Sequence, residues 1–75
     1  MKMIADMSVR DNFLNTTITI FLYQNASGDF IFGHTIDDST CSTKYKTFDE
    51  AMYEYINAQE ALIDYQDELT EEDYQ

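Results

Sequence analysis

From Thr47 onward the chain contains neither glycine nor proline, and this stretch opens on Thr47-Phe48-Asp49-Glu50. That opening has the form of a capping box. The Thr47 hydroxyl is placed to accept from the backbone N–H of Glu50, and the Glu50 carboxylate to reach back to that of Thr47. Asp49 and Glu50 suit the positive end of a helix dipole, and the Ala, Glu, Met, Gln and Leu residues beyond them are good helix formers. The spacing predicts a helix over 47–69 and an acidic tail over 70–75. Such a helix is about 33 Å long and must bury one side, so the preceding residues have to supply a surface for it.

Projected at about 100° per residue, the helix separates two arcs. Phe48, Ala51, Met52, Tyr55, Ile56, Ala58, Leu62, Ile63 and Leu69 share one arc, with Gln59 and Gln66 inside it. The opposite arc carries Asp49, Glu50, Glu54, Glu60, Asp64, Asp67, Glu68, Glu71 and Glu72, with Tyr53 and Asn57 near its centre. The apolar arc is expected to cover a sheet, and the acidic arc to face water or a partner.

The sheet is read from alternation. Leu14, Thr16, Ile18, Ile20 and Leu22 face one way and Asn15, Thr17, Thr19, Phe21 and Tyr23 the other, which predicts a strand over 14–23. The turn formers Gln24 to Asp29 come next, with Gly28 available for positive φ. Phe30 to Ile36 alternates again, and the two runs read as a β-hairpin. Asp37-Asp38-Ser39 is a second turn, after which Ser39 to Lys46 suits a short third strand at an edge, where lysines discourage further pairing. Residues 1–12 show no convincing period and are expected to be coil, or a short strand or helix turn. The predicted fold class is α+β: one domain over 1–75, with a small antiparallel sheet in 14–46 packed by one long C-terminal helix.

Composition limits what this unit can do. With 44% hydrophobic and 15% aromatic residues, these 75 residues hold too much apolar material for a disordered chain. The formal net charge is −11, and it is segregated. All four cations (Lys2, Arg10, Lys44, Lys46) precede residue 47 and stand among five acids, whereas the remaining ten acids lie beyond it without a single Lys or Arg. Cys41 stands alone, so no intrachain disulfide can form, and no segment resembles a signal peptide or membrane span. The cytoplasm is the expected compartment, that of a host cell if the chain is phage-encoded.

Catalytic signatures are missing from the sequence. There is no phosphate-binding or dinucleotide-binding glycine loop, no HExxH and no nucleophile elbow. His34 is the single histidine. Its spacing to Asp38 and Cys41 matches no standard zinc pattern, and the loop at Asp37 lacks the Gly and Glu of a calcium-binding EF-hand. The helix carboxylates are on a solvated face, whereas a general acid needs a partly buried carboxyl with a raised pKa. The expectation is a non-enzymatic chain with no cofactor and no metal. Direct nucleic-acid binding is disfavoured by charge, since phosphates are engaged by Lys and Arg.

The acidic arc points instead to a basic partner. An ordinary exposed helix mixes Glu with Lys at i, i+4, whereas Glu50/Glu54, Glu60/Asp64, Asp64/Glu68, Asp67/Glu71 and Glu68/Glu72 are like-charged at that spacing. Each pair costs a few tenths of a kcal/mol. Carboxylates one turn apart lie about 6 Å from each other, comparable with phosphate spacing, and a rod of them could occupy a Lys/Arg-lined groove. The candidate partner-binding residues are Glu50, Tyr53, Glu54, Asn57, Glu60, Asp64, Asp67, Glu68 and Glu71, with Tyr65 at the margin adding amphipathic contact.

A short chain with a β-sheet, one capped acidic helix and a strongly negative charge resembles small phage-encoded inhibitors of the anti-CRISPR and DNA-mimic type. The resemblance rests on size, charge and layout over the whole chain and carries no individual site residue. It implies a sheet-plus-helix inhibitor with a nuclease or surveillance complex as target. Gly28-Asp29-Phe30 followed by Thr47-Phe48-Asp49-Glu50-Ala51 is similar to the hairpin and helix start of HicB-type antitoxin domains, which implies an antitoxin-like or regulatory partner protein. A third class is a homo-oligomeric structural protein, a homodimer included, that self-associates through Phe21, Tyr23 or the far end of the helix.

Overall fold

The computed structural model describes residues 1–73, with side chains described through Glu68. Strands β1 (Lys2–Asp11), β2 (Thr16–Gln24), β3 (Phe30–Ile36) and β4 (Ser39–Tyr45) form one antiparallel meander in the order β1-β2-β3-β4, and α1 (Phe48–Asp73) packs on one face of it. The fold is α+β as expected, with a fourth strand of 10 residues in the segment expected to be coil, or a short strand or helix turn.

That strand, β1, obeys the period-two rule from Ala5 onward. Ala5, Met7 and Val9 pair with Leu22, Ile20 and Ile18 and share their face, while Asp6, Ser8 and Arg10 share the face of Phe21, Thr19 and Thr17. A bulge at Ile4 shifts the register between Met3 and Ala5, and it breaks the alternation where the strand begins. Val9, Ile20 and Leu22 are buried with Ala51, Tyr55 and Leu62 of the helix, so β1 supplies one wall of the core.

Strand β2 begins two residues later than the alternation predicts. Leu14 lies in the β1–β2 turn and is exposed, as is Phe13. The turn is organised by Asp11, whose carboxylate accepts from the backbone N–H of Phe13 at 3.0 Å and of Leu14 at 3.1 Å. Asn15, at φ 56°, takes the left-handed position that returns the chain into β2, a conformation that Asn tolerates better than most residues. The alternating run 14–23 therefore contains two residues that serve the turn.

The other two turns behave as their composition implies. The Asn25 side chain accepts from the N–H groups of Ser27 and Asp29, and Gly28 sits at φ 89°. Asp37, at φ 54°, opens the two-residue β3–β4 turn and extends the ladder onto β2 by donating its N–H to the Thr17 carbonyl at 3.2 Å. The face of the sheet away from the helix is covered by no other element among the described residues. There the Phe21 and Tyr23 rings stack at 5.9 Å, and Phe21 lies over Gly33, its cross-strand partner.

Asp11 is the one buried charged side chain among the described residues, 2% exposed. Besides the two turn amides its carboxylate accepts from the Tyr65 hydroxyl, which ties the β1–β2 turn to the helix. The Tyr65 bond first, then the Leu14 and Phe13 amides and the Arg10 charge, hold this carboxyl below its ordinary value of 3.8, against an opposing effect of burial. A depressed carboxyl stabilises the fold above its ordinary value, and that contribution is lost as the pH falls through the folded-state value. Asp11→Asn is accordingly expected to be less stable than the parent at pH 7, with the gap closing as the pH is lowered below 3.8. Urea midpoints of both proteins across that range check it, and a gap that stays constant would contradict the assignment.

No helix among the described residues is long and apolar enough to cross a membrane.

Candidate functional site

The helix is fixed on the sheet at its first turn and again around Leu62 and Tyr65, and this determines which side it presents outward. At its start the Thr47 hydroxyl accepts from the Glu50 N–H at 3.3 Å, and the Thr47 carbonyl from the Ala51 N–H at 3.4 Å. The return bond of the expected capping box, from the Thr47 N–H to Glu50, is absent from the described contacts, and the Glu50 side chain is exposed. Phe48 packs edge-on against Phe30 at 5.6 Å, and Tyr55 stands perpendicular to Phe32 at 6.3 Å. Toward the other end Leu62 is buried and Tyr65 is bonded to Asp11. The helix thus runs diagonally, from the side of β3 and β4 where Phe30 and Tyr45 lie to the turn at the end of β1.

The buried stripe is narrower than the apolar arc predicted for it. Ala51, Tyr55 and Leu62 are buried and Met52, Ala58 and Gln59 half-buried, but Ile56 is 44% and Ile63 42% exposed. Each isoleucine directly succeeds a buried residue and is rotated from it by about 100°, beyond the arc that a flat surface can touch. Tyr65, at the margin of the outward face, is half-buried, with its hydroxyl engaged with Asp11.

The outward face places the predicted residues together. Glu50, Tyr53, Glu54, Asn57, Glu60, Asp64, Asp67 and Glu68 are all exposed, with Asp49 beside them. Glu71 and Glu72 fall within the helical backbone, and their side chains, like that of Leu69, lie outside the described residues. The helix continues to Asp73, so 70–73, expected as tail, are helical in backbone, whereas Tyr74 and Gln75 lie outside the described residues. Among the described residues the sole ion pair is Lys44 with Asp29 at 3.9 Å, on the sheet. None of the described helix carboxylates has a cationic partner.

A concavity lies at the start of this face. Tyr45, the last residue of β4, and Asp49, Glu50, Tyr53 and Glu54 line a shallow cleft of about 380 Å³. Tyr53 is 66% exposed, and Tyr45 half-buried. Helical period alone places Tyr53, Glu50 and Glu54 here but does not reach Tyr45. The available signal is its position two residues before the helix cap, because the reversal at Lys46 and Thr47 sets the strand's last side chain beside the first helical turns.

A second shallow groove, about 300 Å³, runs along β3 and β4 past Phe32, His34, Cys41, Thr43 and Tyr45 to Glu54. His34 and Cys41 are cross-strand partners. Among the described residues no three His, Cys, Asp or Glu side chains are grouped so as to hold a metal ion. Comparison of the chain with protein-family models, with curated proteins and with solved structures finds no match, so the functional reading rests on the residues themselves.

Proposed function

We propose that the chain is a non-enzymatic inhibitor or binding protein that lays its acidic helix face into a basic, nucleic-acid-binding groove of a partner protein, a nuclease or CRISPR-type complex being the kind of target that fits. The observation that carries this reading is the unpaired state of the outward carboxylates. From Asp49 to Glu68 every acid on α1 is exposed and none has a Lys or Arg against it. Each like-charged pair at i, i+4 costs the isolated fold a few tenths of a kcal/mol, and the acids near the C-terminal end oppose the helix dipole. A Lys/Arg-lined groove turns these losses into steering and complementarity.

The geometry supports a rod that substitutes for a phosphate backbone. The helix is held by the Phe48–Phe30 contact at its start and by the Tyr65–Asp11 bond before its last turns, so the carboxylates between them, from Asp49 to Asp64, are presented on a rigid element. Rigidity reduces the ordering cost of association.

The test uses the chain immobilised as bait in extract from the cells in which it occurs, with duplex DNA or RNA as competitor. The expected partner is a nucleic-acid-binding protein, released by the competitor and by high salt. Replacing Glu54, Glu60 and Asp64 together by Lys is expected to weaken capture at least about a hundredfold. Undiminished capture by the folded triple variant, or a partner that holds nucleic acid and the chain at once, would remove the groove-occupying reading.

A further inference from the structure

We propose that the cleft between the end of β4 and the first turns of α1 receives one arginine side chain of the partner. This deepens the reading above and rests on it. The residues that line the cleft are two tyrosines and three acids, Asp49, Glu50 and Glu54. That pairing selects a cation with a flat, weakly hydrated surface.

Charge decides the sign of the ligand. A helix N-terminus carries roughly half a positive charge, which by itself would favour an anion. Three carboxylates in the first two turns outweigh it several-fold, so the cleft is a cation site despite its place on the helix. No cation among the described residues fills it. Lys44 projects from the opposite face of the sheet toward Asp29, and Lys46 is exposed and does not line the cleft.

Shape and aromatic walls decide between arginine and lysine. Glu50 and Glu54 are one turn apart, with about 6 Å between their β-carbons. A guanidinium can donate from two edges to two carboxylates while its plane lies on a tyrosine ring, whereas an ammonium is a compact, strongly hydrated point charge. The Tyr53 ring is free to take that part. It is 66% exposed and lies outside the buried cluster that joins helix to sheet. Tyr45 is half-buried at the strand end and makes the fixed wall.

The experiment is an NMR titration of the full chain with N-acetyl-arginine amide, and with the lysine amide as control, in low salt. Tyr45 and Tyr53 ring resonances are expected to shift and saturate in the millimolar range, with the lysine amide about fivefold weaker. Tyr53→Ala should weaken the arginine amide about fivefold, and Tyr53→Phe, which keeps the ring, should leave it unchanged. Shifts spread evenly from Glu60 to Glu68, equal affinity for the two amides, or indifference to Tyr53→Ala would each overturn the cleft. The paired changes Glu60→Lys and Asp64→Lys, remote from the cleft, separate the two proposals. They should leave the cleft's preference for the arginine amide over the lysine amide, and its dependence on Tyr53, intact while weakening partner capture, any general fall in amide affinity being the long-range effect of charge in low salt. Intact partner capture by that pair, with the amide still bound at the tyrosines, would refute the groove-occupying rod and leave the cleft standing.

Discussion

Leu22→Ala is expected to remove about 3 kcal/mol of folding stability, a loss near the middle of the range for buried leucines. Leu22 is the one large side chain with no exposure at all among the described residues. It sits on a central strand, paired with Ala5 on one side and Phe32 on the other, beneath the helix residues Ala51, Tyr55 and Leu62 that complete the cluster. Neither neighbour in the sheet can close the gap, since Ala5 is short and Phe32 is already set against Tyr55. A chain of 75 residues is expected to have only about 4–11 kcal/mol in total, so this one change takes a large share of it. Thermal melts should show a Tm lower by about 10–25 °C. A shift of less than about 4 °C would mean that the helix does not seat on β2 as described.

The same cluster shows what can be read in the sequence. The helix, its cap at Thr47 and its burial of Ala51, Tyr55 and Leu62 follow from period 3.6 alone, because those positions recur with no breaker between them. The β2–β3 hairpin follows from period two and from the turn residues Asn25 to Asp29. Strand β1 escapes that reading although Ala5, Met7 and Val9 alternate correctly with Asp6, Ser8 and Arg10. Ala and Asp are poor strand formers, and the bulge at Ile4 puts Met3 out of phase with the rest of the strand. Asp11 hides its role for another reason. It sits on the inward-facing period of the strand, where an acid is normally disfavoured, and its justification, Tyr65, is 54 residues away.

At the candidate site the outward residues are legible because they need no partner to define them. An exposed face is the remainder once the buried stripe is known, and Glu50 to Glu68 keep to the helical period without exception. Two features depend on tertiary geometry. The exposure of Ile56 and Ile63 follows from how little of a cylinder a sheet can touch. The place of Tyr45 in the cleft follows from where β4 ends relative to the cap. Neither is encoded in a local window, since each depends on the diagonal along which the helix crosses the strands.

Gly33→Ala is expected to destabilise the fold by about 2–3 kcal/mol, in the upper part of the range for overpacking. In an ordinary strand the change would help, because glycine costs more conformational entropy than alanine by roughly 0.5–1 kcal/mol. Here a β-carbon at Gly33 would lie 2.5 Å from the Cys41 carbonyl oxygen, 2.6 Å from the Phe21 ring and 2.8 Å from the Ser42 β-carbon. The Phe21 ring can swing away into the uncovered face, giving up its stacking on Tyr23. The Cys41 oxygen cannot, because it belongs to the backbone of β4, so relief has to come from opening the β3–β4 ladder. Removing the ring as well, in Gly33→Ala with Phe21→Ala, should therefore recover only part of the loss. Full recovery would show that the ring alone forbids a side chain. Strand β4 is an edge strand whose only strand neighbour is β3, and its last residue is Tyr45, a wall of the cleft. Hydrogen exchange in Gly33→Ala should accordingly rise first in Ser39–Tyr45. Binding of N-acetyl-arginine amide should weaken while the helix, held independently by Leu62 and Tyr65, still presents its carboxylates.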